Sequence, residues 1–539
     1  MDFHFSSRRS PVYATRGMVA TSATTATAAG LEILRQGGTA ADAAVAAAAA
    51  LNVVEPTSTG IGGDCFALYF DARTGAVSAL NGSGRAPRGL DAALIERQGL
   101  REGDQIRDPY HAHCVTVPGA AAGWLDALSK HGRMTAREVL APAIRMAEEG
   151  APIGPVTAFF WARAAERQLR GRGEAMLIEG RAPRAGERFR NPGLARTFRA
   201  LAEGGKAAFY TGEIAARIVA AVQGFGGVMT PADLAAHAST FEAPISTTYR
   251  GHRIWECPPN GQGLAALLTL NVLEGFAPGT ADGPDVDEAH RMIEALRLAF
   301  LDTRWFVADP ASNPAPLAGL LGKAYADQRR KLIHPTRATL DQRRGAPVAG
   351  SDTVYLCVVD GEGNACSFIN SNYMGFGTGI VPEGCGFTLQ NRGHNFTLES
   401  GHPNALAPGK RPYHTIIPGL ITRPDGSLYG PFGVMGGFMQ PQGHAQVAIN
   451  LIDRGLDPQA ALDRPRLCLE PATPDGRVAV EAGFDPALVA ALRTRGHDAH
   501  GVEGAARSLF GRGQIIRRDA DGVLCGGSDP RADGCAMGF

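Results

Sequence analysis

No stretch of this chain is long and apolar enough to cross a bilayer as a helix. The longest apolar run, Ala43 to Val54, is too short and is mostly alanine. Neither charge is in excess. Lys and Arg number 53, as do Asp and Glu, among 539 residues, so no global basic field points to nucleic acid or to an anionic membrane surface. The opening residues, MDFHFSSRRSPVYATRG, lack the apolar segment of a secretory signal. Nine cysteines are scattered without a CxxC pair. An odd count with no signal reads as reduced thiols, and the expected location is the cytoplasm. Metal-ligand spacing is missing too. His111 and His113 stand without a third ligand, and Asp282, Asp285 and Asp287 lack the glycine and the distal glutamate of a calcium loop. Gly60, Gly62 and Gly63 follow a predicted helix and precede a predicted strand, the wrong order for a dinucleotide-binding turn. No metal and no organic cofactor is expected. Internal repeats and low-complexity tails are also lacking.

What is present is a chain too long for one small core, allowing two subdomains or one large sandwich with helical elaborations. Thr24 to Arg35 reads as a helix ended by Gly37-Gly38. Thr39 and Asp42 form a capping box that opens a second helix to about Leu51. Gly119 to Lys130 and Thr135 to Glu149 are predicted helices, and the chain stays mainly helical to about Leu332. The strand-like STTYRGHRIWEC and the loop PPNGQG interrupt it. Then the character changes. TVYLCVVD, starting at Thr353, and NACSFINS flank the turn Asp360-Gly361-Glu362-Gly363 and predict a hairpin. Further strands are expected over Thr415 to Thr422, SLYGPFGVM, GQIIRR and GVLCGG, with helices over Gln440 to Arg454 and from Asp485-Pro486. Strands are thus expected to cluster after Thr353 and helices before it.

A polar segment, His334 to Asp352, runs straight into the strand that begins with Thr353. A threonine hydroxyl is a poor nucleophile unless a base sits beside it. Cleavage between Asp352 and Thr353 would free an α-amine whose reference pKa, about 7.7–8.0, suits a general base. One residue then carries both nucleophile and base.

The stretches GGTAADAAVAAAAALNVVEPTSTGIGGDCF, TVYLCVVD, NACSFINS, GFGTGIV, PFGVMGGF and GGSDPRADG stand in one order along nearly the whole chain. Together they resemble the γ-glutamyltranspeptidase superfamily of N-terminal-nucleophile hydrolases. The resemblance implies an α+β fold, a four-layer αββα sandwich. It also implies self-cleavage into a large subunit, residues 1–352, and a small one, residues 353–539, with a dimer of such heterodimers allowed. The implied catalytic residues are Thr353, with Ser371 orienting it, and Gly436 and Gly437, whose N–H groups would form the oxyanion hole.

The implied substrate grip departs from the family pattern. Where γ-glutamyl enzymes hold the substrate α-amine with acceptors, this chain has Tyr373, Arg392 and Asn395. Where they hold the α-carboxylate, it has Ser83, His414 and Thr415, with Arg85 two residues beyond Ser83. A guanidinium repels an ammonium group and suits a carboxylate. The expected substrate is therefore a small carboxylated amide, as in oxamate amidohydrolase-like members. Arg392 is expected to act on substrate alone, apart from the nucleophile. A true γ-glutamyltransferase or glutathione hydrolase is the alternative, and an uncleaved binding or scaffold protein a third. Retention of Thr353, Ser371 and Gly436-Gly437 argues against the last.

Overall fold

In the computed structural model, residues 9–169, 171–279, 285–340, 352–473 and 475–539 are described, with the Asp352 side chain left aside. Two seven-stranded antiparallel sheets lie face to face. One runs in the order Val12–Ala14, Leu524–Ser528, Arg512–Arg518, Leu428–Met435, Gly419–Thr422, His252–Glu256, Ile245–Tyr249. The other runs Cys535–Gly538, Met18–Thr21, Asp352–Val359, Ala365–Tyr373, Asp64–Asp71, Ala76–Gly82, Thr240–Glu242. Of these fourteen strands, seven precede the predicted cut and seven follow it. Because the second part is the shorter, strands are denser after Thr353, as expected, but the first part supplies half of both sheets. The early strands were hard to see because several, such as Met18–Thr21 and Thr240–Glu242, span only three or four residues. The helix imbalance does hold, because after residue 352 the α-helices are Met439–Ile452, Pro458–Asp463 and Ala487–Thr494 among the described residues.

The period of two along each strand sorts side chains into layers. Tyr355, Cys357 and Val359 point between the sheets, where they meet Phe66, Leu68, Leu420, Met435 and Ile516. Val354, Leu356 and Val358 point the other way, into a layer built on the helices Thr24–Arg35 and Ala40–Val54. Every residue of Ala40–Val54 is buried. Its alanines let it lie close to its neighbours, and the Thr39–Asp42 capping box forms as expected. On the far face of the first sheet, Gly263–Glu274, Val286–Phe306 and Met439–Ile452 cover Ile254, Ile421, Phe432 and Val434. The result is a four-layer αββα sandwich.

The strand expected over Thr415 to Thr422 is shorter, Gly419–Thr422. Before it, the backbone pairs with a loop instead of a strand: His414 N–H donates to the Asn260 carbonyl, and Gln262 N–H to that of His414. Pro418, with no N–H, could not have extended the ladder.

Candidate active site

The hairpin Asp352–Val359 and Ala365–Tyr373 carries an irregularity at its open end. Asp352 pairs with Tyr373 and Val354 with Asn370, so Ser371 and Asn372 together oppose Thr353. Thr353 shares the parity of Tyr355 and faces the layer between the sheets; Ser371 shares that of Ser367 and Ile369 and faces the same way. Their hydroxyl oxygens lie 3.0 Å apart. Behind them Gly63 packs so closely that a Cβ there would sit 2.2 Å from the Ser371 carbonyl oxygen, which only glycine avoids.

Ser371 Oγ also accepts the Tyr373 backbone N–H at 2.9 Å and an N–H of Arg392 at 3.1 Å. Tyr373 has φ of +81°, a conformation that costs a non-glycine residue on the order of 1–3 kcal/mol and needs outside support. The bond to Ser371 supplies part of that support. Arg392 supplies more, its guanidinium carbon lying 4.4 Å from the centre of the Tyr373 ring.

Arg392 opens the short 3-10 turn Arg392–Asn395 and is fully buried. Its second terminal nitrogen donates to Thr415 Oγ1 at 2.7 Å, and its Nε has no partner among the described residues. Among the described residues no carboxylate lies within ion-pair distance of it. Burial lowers its pKa to about 10, which leaves it charged at neutral pH. The Tyr373 hydroxyl beside it is also buried and unpartnered among the described residues. A buried cation and a buried hydroxyl with unfilled hydrogen-bonding capacity are expensive unless something else fills it.

His414 lies against Asp64, its Nε2 3.0 Å from Asp64 Oδ2. Burial, and then the charge of Arg392, push the His414 pKa down to about 3. The ring is therefore neutral and donates to a carboxylate. Burial alone would raise Asp64, but the His414 bond and the Arg392 charge outweigh it and hold the carboxyl below its ordinary value. Asp64 Oδ1 accepts from Gly84 N–H at 2.9 Å, Gly119 N–H at 3.2 Å and Gln390 Nε2 at 3.0 Å.

Gly436 and Gly437 follow the strand Leu428–Met435 with φ of +135° and +60°. Their N–H groups donate to no partner among the described residues, the condition an oxyanion hole requires. Gln262 fixes this turn to the Arg392 group. Its Nε2 donates to the Thr415 carbonyl at 2.6 Å and the Gly437 carbonyl at 2.8 Å. Thr353, Ser371, Tyr373, Arg392, Thr415 and the glycine turn thus form one bonded chain.

The remaining sequence candidates lie around it. Asn395 donates to the Tyr413 carbonyl at 3.0 Å and so braces the backbone before His414. Ser83 is buried with Asn260 Nδ2 on its hydroxyl at 3.0 Å. Arg85 does not join Arg392; its guanidinium is held by Asp309 at 3.0 Å and by the Gly409 carbonyl at 3.1 Å. The expectation that Arg392 stands apart from the nucleophile is corrected by its bond to Ser371. Sequence reading passed over Asp64, Gln262 and Gln390. The first stood in the quoted motif GGDCF and the second in the loop PPNGQG, where any polar residue looks like solvent-facing loop.

One trio with possible metal ligands occurs among the described residues: His290, Glu294 and His497. His290 Nδ1 and His497 Nε2 already hydrogen-bond at 2.8 Å, and Glu294 takes the Thr339 N–H at 3.1 Å. Arg297 sits 3.5 Å from Glu294 and would repel a cation.

A family profile, Gamma-glutamyltranspeptidase, matches residues 26–539. The glutathione hydrolase-like YwrD proenzyme of Bacillus subtilis (strain 168) is 37% identical over 539 residues, covering 98% of this chain and 99% of that protein. The oxamate amidohydrolase proenzyme of Klebsiella pneumoniae subsp. pneumoniae is 35% identical over 538 residues, covering 97% and 99%. The crystal structure of cephalosporin acylase from Bacillus halodurans superposes with a TM-score of 0.91 at 47% identity, covering 99% of this chain and 97% of that one. The chain therefore belongs to the gamma-glutamyltranspeptidase family and is a hydrolase of the N-terminal-nucleophile class.

Proposed function

We propose that the chain cuts itself between Asp352 and Thr353, and that the freed Thr353 then hydrolyses amides whose acyl group bears a carboxylate near the scissile carbonyl. The observation that carries the substrate class is Arg392: a buried guanidinium with no carboxylate partner among the described residues, hydrogen-bonded to the hydroxyl that touches Thr353. A substrate carboxylate would complete it with charge-assisted bonds, and the Tyr373 hydroxyl offers a further donor. Oxamate is the smallest amide of this class, which agrees with the name of one relative.

In self-cleavage, Thr353 Oγ1 attacks the Asp352 carbonyl carbon. The C–N bond breaks as the ester forms, and water splits the ester. The products are an Asp352 carboxylate and a Thr353 with a free amine, on pieces of 352 and 187 residues. In turnover, that amine takes the Oγ1 proton as the oxygen attacks the substrate carbonyl. The N–H groups of Gly436 and Gly437 stabilise the oxyanion, a contribution of roughly 3 kcal/mol per donor. The amine then returns the proton to the departing nitrogen. Water, activated the same way, releases the acid and restores Thr353.

The test is a steady-state panel of oxamate, a glutaryl amide and a γ-glutamyl anilide on the processed protein. Preference for the first two supports the reading. Preference for the γ-glutamyl anilide would replace it with a glutathione hydrolase, the activity named in another relative.

A further inference from the structure

Beyond Gly436 a cavity of about 410 Å³ opens, bounded on one side by Gly436 and Met435 and on another by Met374 and Gly375. Its opposite wall is the end of the helix Pro155–Ala164 and the π-helical turn Ala165–Leu169 that continues it. Two arginines a helical turn apart, Arg163 and Arg167, are the only charged residues in the described lining. Neither has a carboxylate within ion-pair distance among the described residues. Tyr110 and Phe160 add aromatic faces; the Arg167 guanidinium lies 5.4 Å from the centre of the Tyr110 ring. π-Turns recur at functional positions because the extra residue re-aims side chains. Gln168, buried, ties the carbonyls of Met374 and Gly377 at 2.8 and 3.1 Å, and both it and Arg167 line the cavity. The wall that carries the arginines is thus bonded to the loop that leaves Tyr373.

The two ends of the site differ in kind. The Arg392 and Tyr373 end is fully enclosed. The end past Gly436 is open and spacious. With the carbonyl on the glycine N–H groups and its carboxylated acyl part toward Arg392, as proposed above, the open space beside Gly436 is left for the nitrogen substituent. Ammonia would leave that space nearly empty, since a molecule of its size occupies only about 30 Å³. A cavity of several hundred Å³ fits a drug-sized group.

We propose that this cavity receives the leaving amine, and that the amine is an aromatic or flat apolar group bearing an anion, held by Arg163 and Arg167. This rests on the acyl-side reading of Arg392 and extends it. The physiological amide would then carry a negative charge on both sides of the scissile bond.

The experiment compares two amides with one acyl group, N-phenyloxamate and N-(4-carboxyphenyl)oxamate, on the processed enzyme. The carboxyphenyl amide should be favoured at least tenfold in kcat/KM at low salt. The preference should shrink toward unity in 0.5 M salt, because exposed charges are screened. In an Arg163→Glu, Arg167→Glu double variant it should invert toward the 4-(aminomethyl)phenyl amide, a reversal that general damage to the fold would not produce. Equal rates for the two amides in wild type, or an unchanged ratio in the double variant, would overturn the proposal. So would turnover of oxamate with neither aryl amide accepted. If no carboxylated amide is turned over while the γ-glutamyl anilide is, the Arg392 reading has failed first and this inference falls with it.

Discussion

Arg392 lies over the ring of Tyr373, 4.4 Å from its centre, and both are fully buried. The same guanidinium donates to Ser371 Oγ, which touches Thr353. The Arg392 guanidinium and the Thr353 hydroxyl are therefore two hydrogen bonds apart, with Ser371 between them. If Arg392 binds the substrate carboxylate as proposed, that contact would reach the nucleophile through Ser371 alone.

Arg392→Gln should lower kcat/KM for carboxylated amides by roughly ten- to a hundredfold, the loss of a charge-assisted pair worth about 1.5–3 kcal/mol. Relative activity on γ-glutamyl anilide should rise, since the repulsion of its ammonium is gone. Self-cleavage should slow as well, because the bond to Ser371 is weakened. Steady-state kinetics and a gel time course measure both. Full-speed cleavage would show that the bond to Ser371 does nothing for Thr353.

Thr353→Ala should remain a single chain of 539 residues and lose at least three orders of magnitude in kcat. Denaturing electrophoresis and an amide-hydrolysis assay suffice. Cleavage of this variant at the wild-type rate would remove Thr353 from the mechanism.

Gln262 should act through position alone. Gln262→Ala frees the Thr415 and Gly437 carbonyls that it now holds. The glycine turn loses its tie, so kcat should fall about tenfold while KM changes little. A rise in KM with kcat intact would assign Gln262 to substrate binding instead.

Acid should destabilise the fold through His414. Its pKa in the fold is about 3 against an ordinary 6.5. Below pH 6.5 the unfolded chain takes a proton that the folded chain refuses. The His414 contribution is therefore complete above pH 6.5 and falls by up to about 1.4 kcal/mol per pH unit below it. Asp64, with its carboxyl held low, adds a loss only below about pH 4, where the unfolded carboxylate protonates. His414→Asn should flatten the urea-midpoint curve between pH 6 and 4 by one proton's worth. An unaltered slope would mean that the folded protein already binds that proton.

The parts of the site legible in the sequence share a strand or a motif with the nucleophile. Thr353, Ser371 and Tyr373 lie on one hairpin, and its alternation and turn residues announce it. Arg392 was legible as an anomaly, a cation where an acceptor was expected. Asp64 and Gln262 were not, because their roles are set by bonds to residues 350 and 153 positions away. A carboxylate that meets a neutral histidine across such a separation leaves no local pattern. The fold was legible by resemblance more than by periodicity, since many of the early strands are too short to show a period.

The strand that begins at Asp352 lies in the interior of its sheet, between Met18–Thr21 from one side of the cut and Ala365–Tyr373 from the other. Chain ends usually fray, because nothing holds their last few residues. An end created by scission at Thr353 would behave differently: Ala365–Tyr373 runs alongside it and Met18–Thr21 joins the same strand four residues on, at Cys357, and both were in place before it existed. Its amine would be born with its position already fixed, and little rotational freedom would remain to be lost when it takes the proton from its own hydroxyl. Building the complete fold first and opening the chain afterwards would turn a mobile terminus into a stationary base.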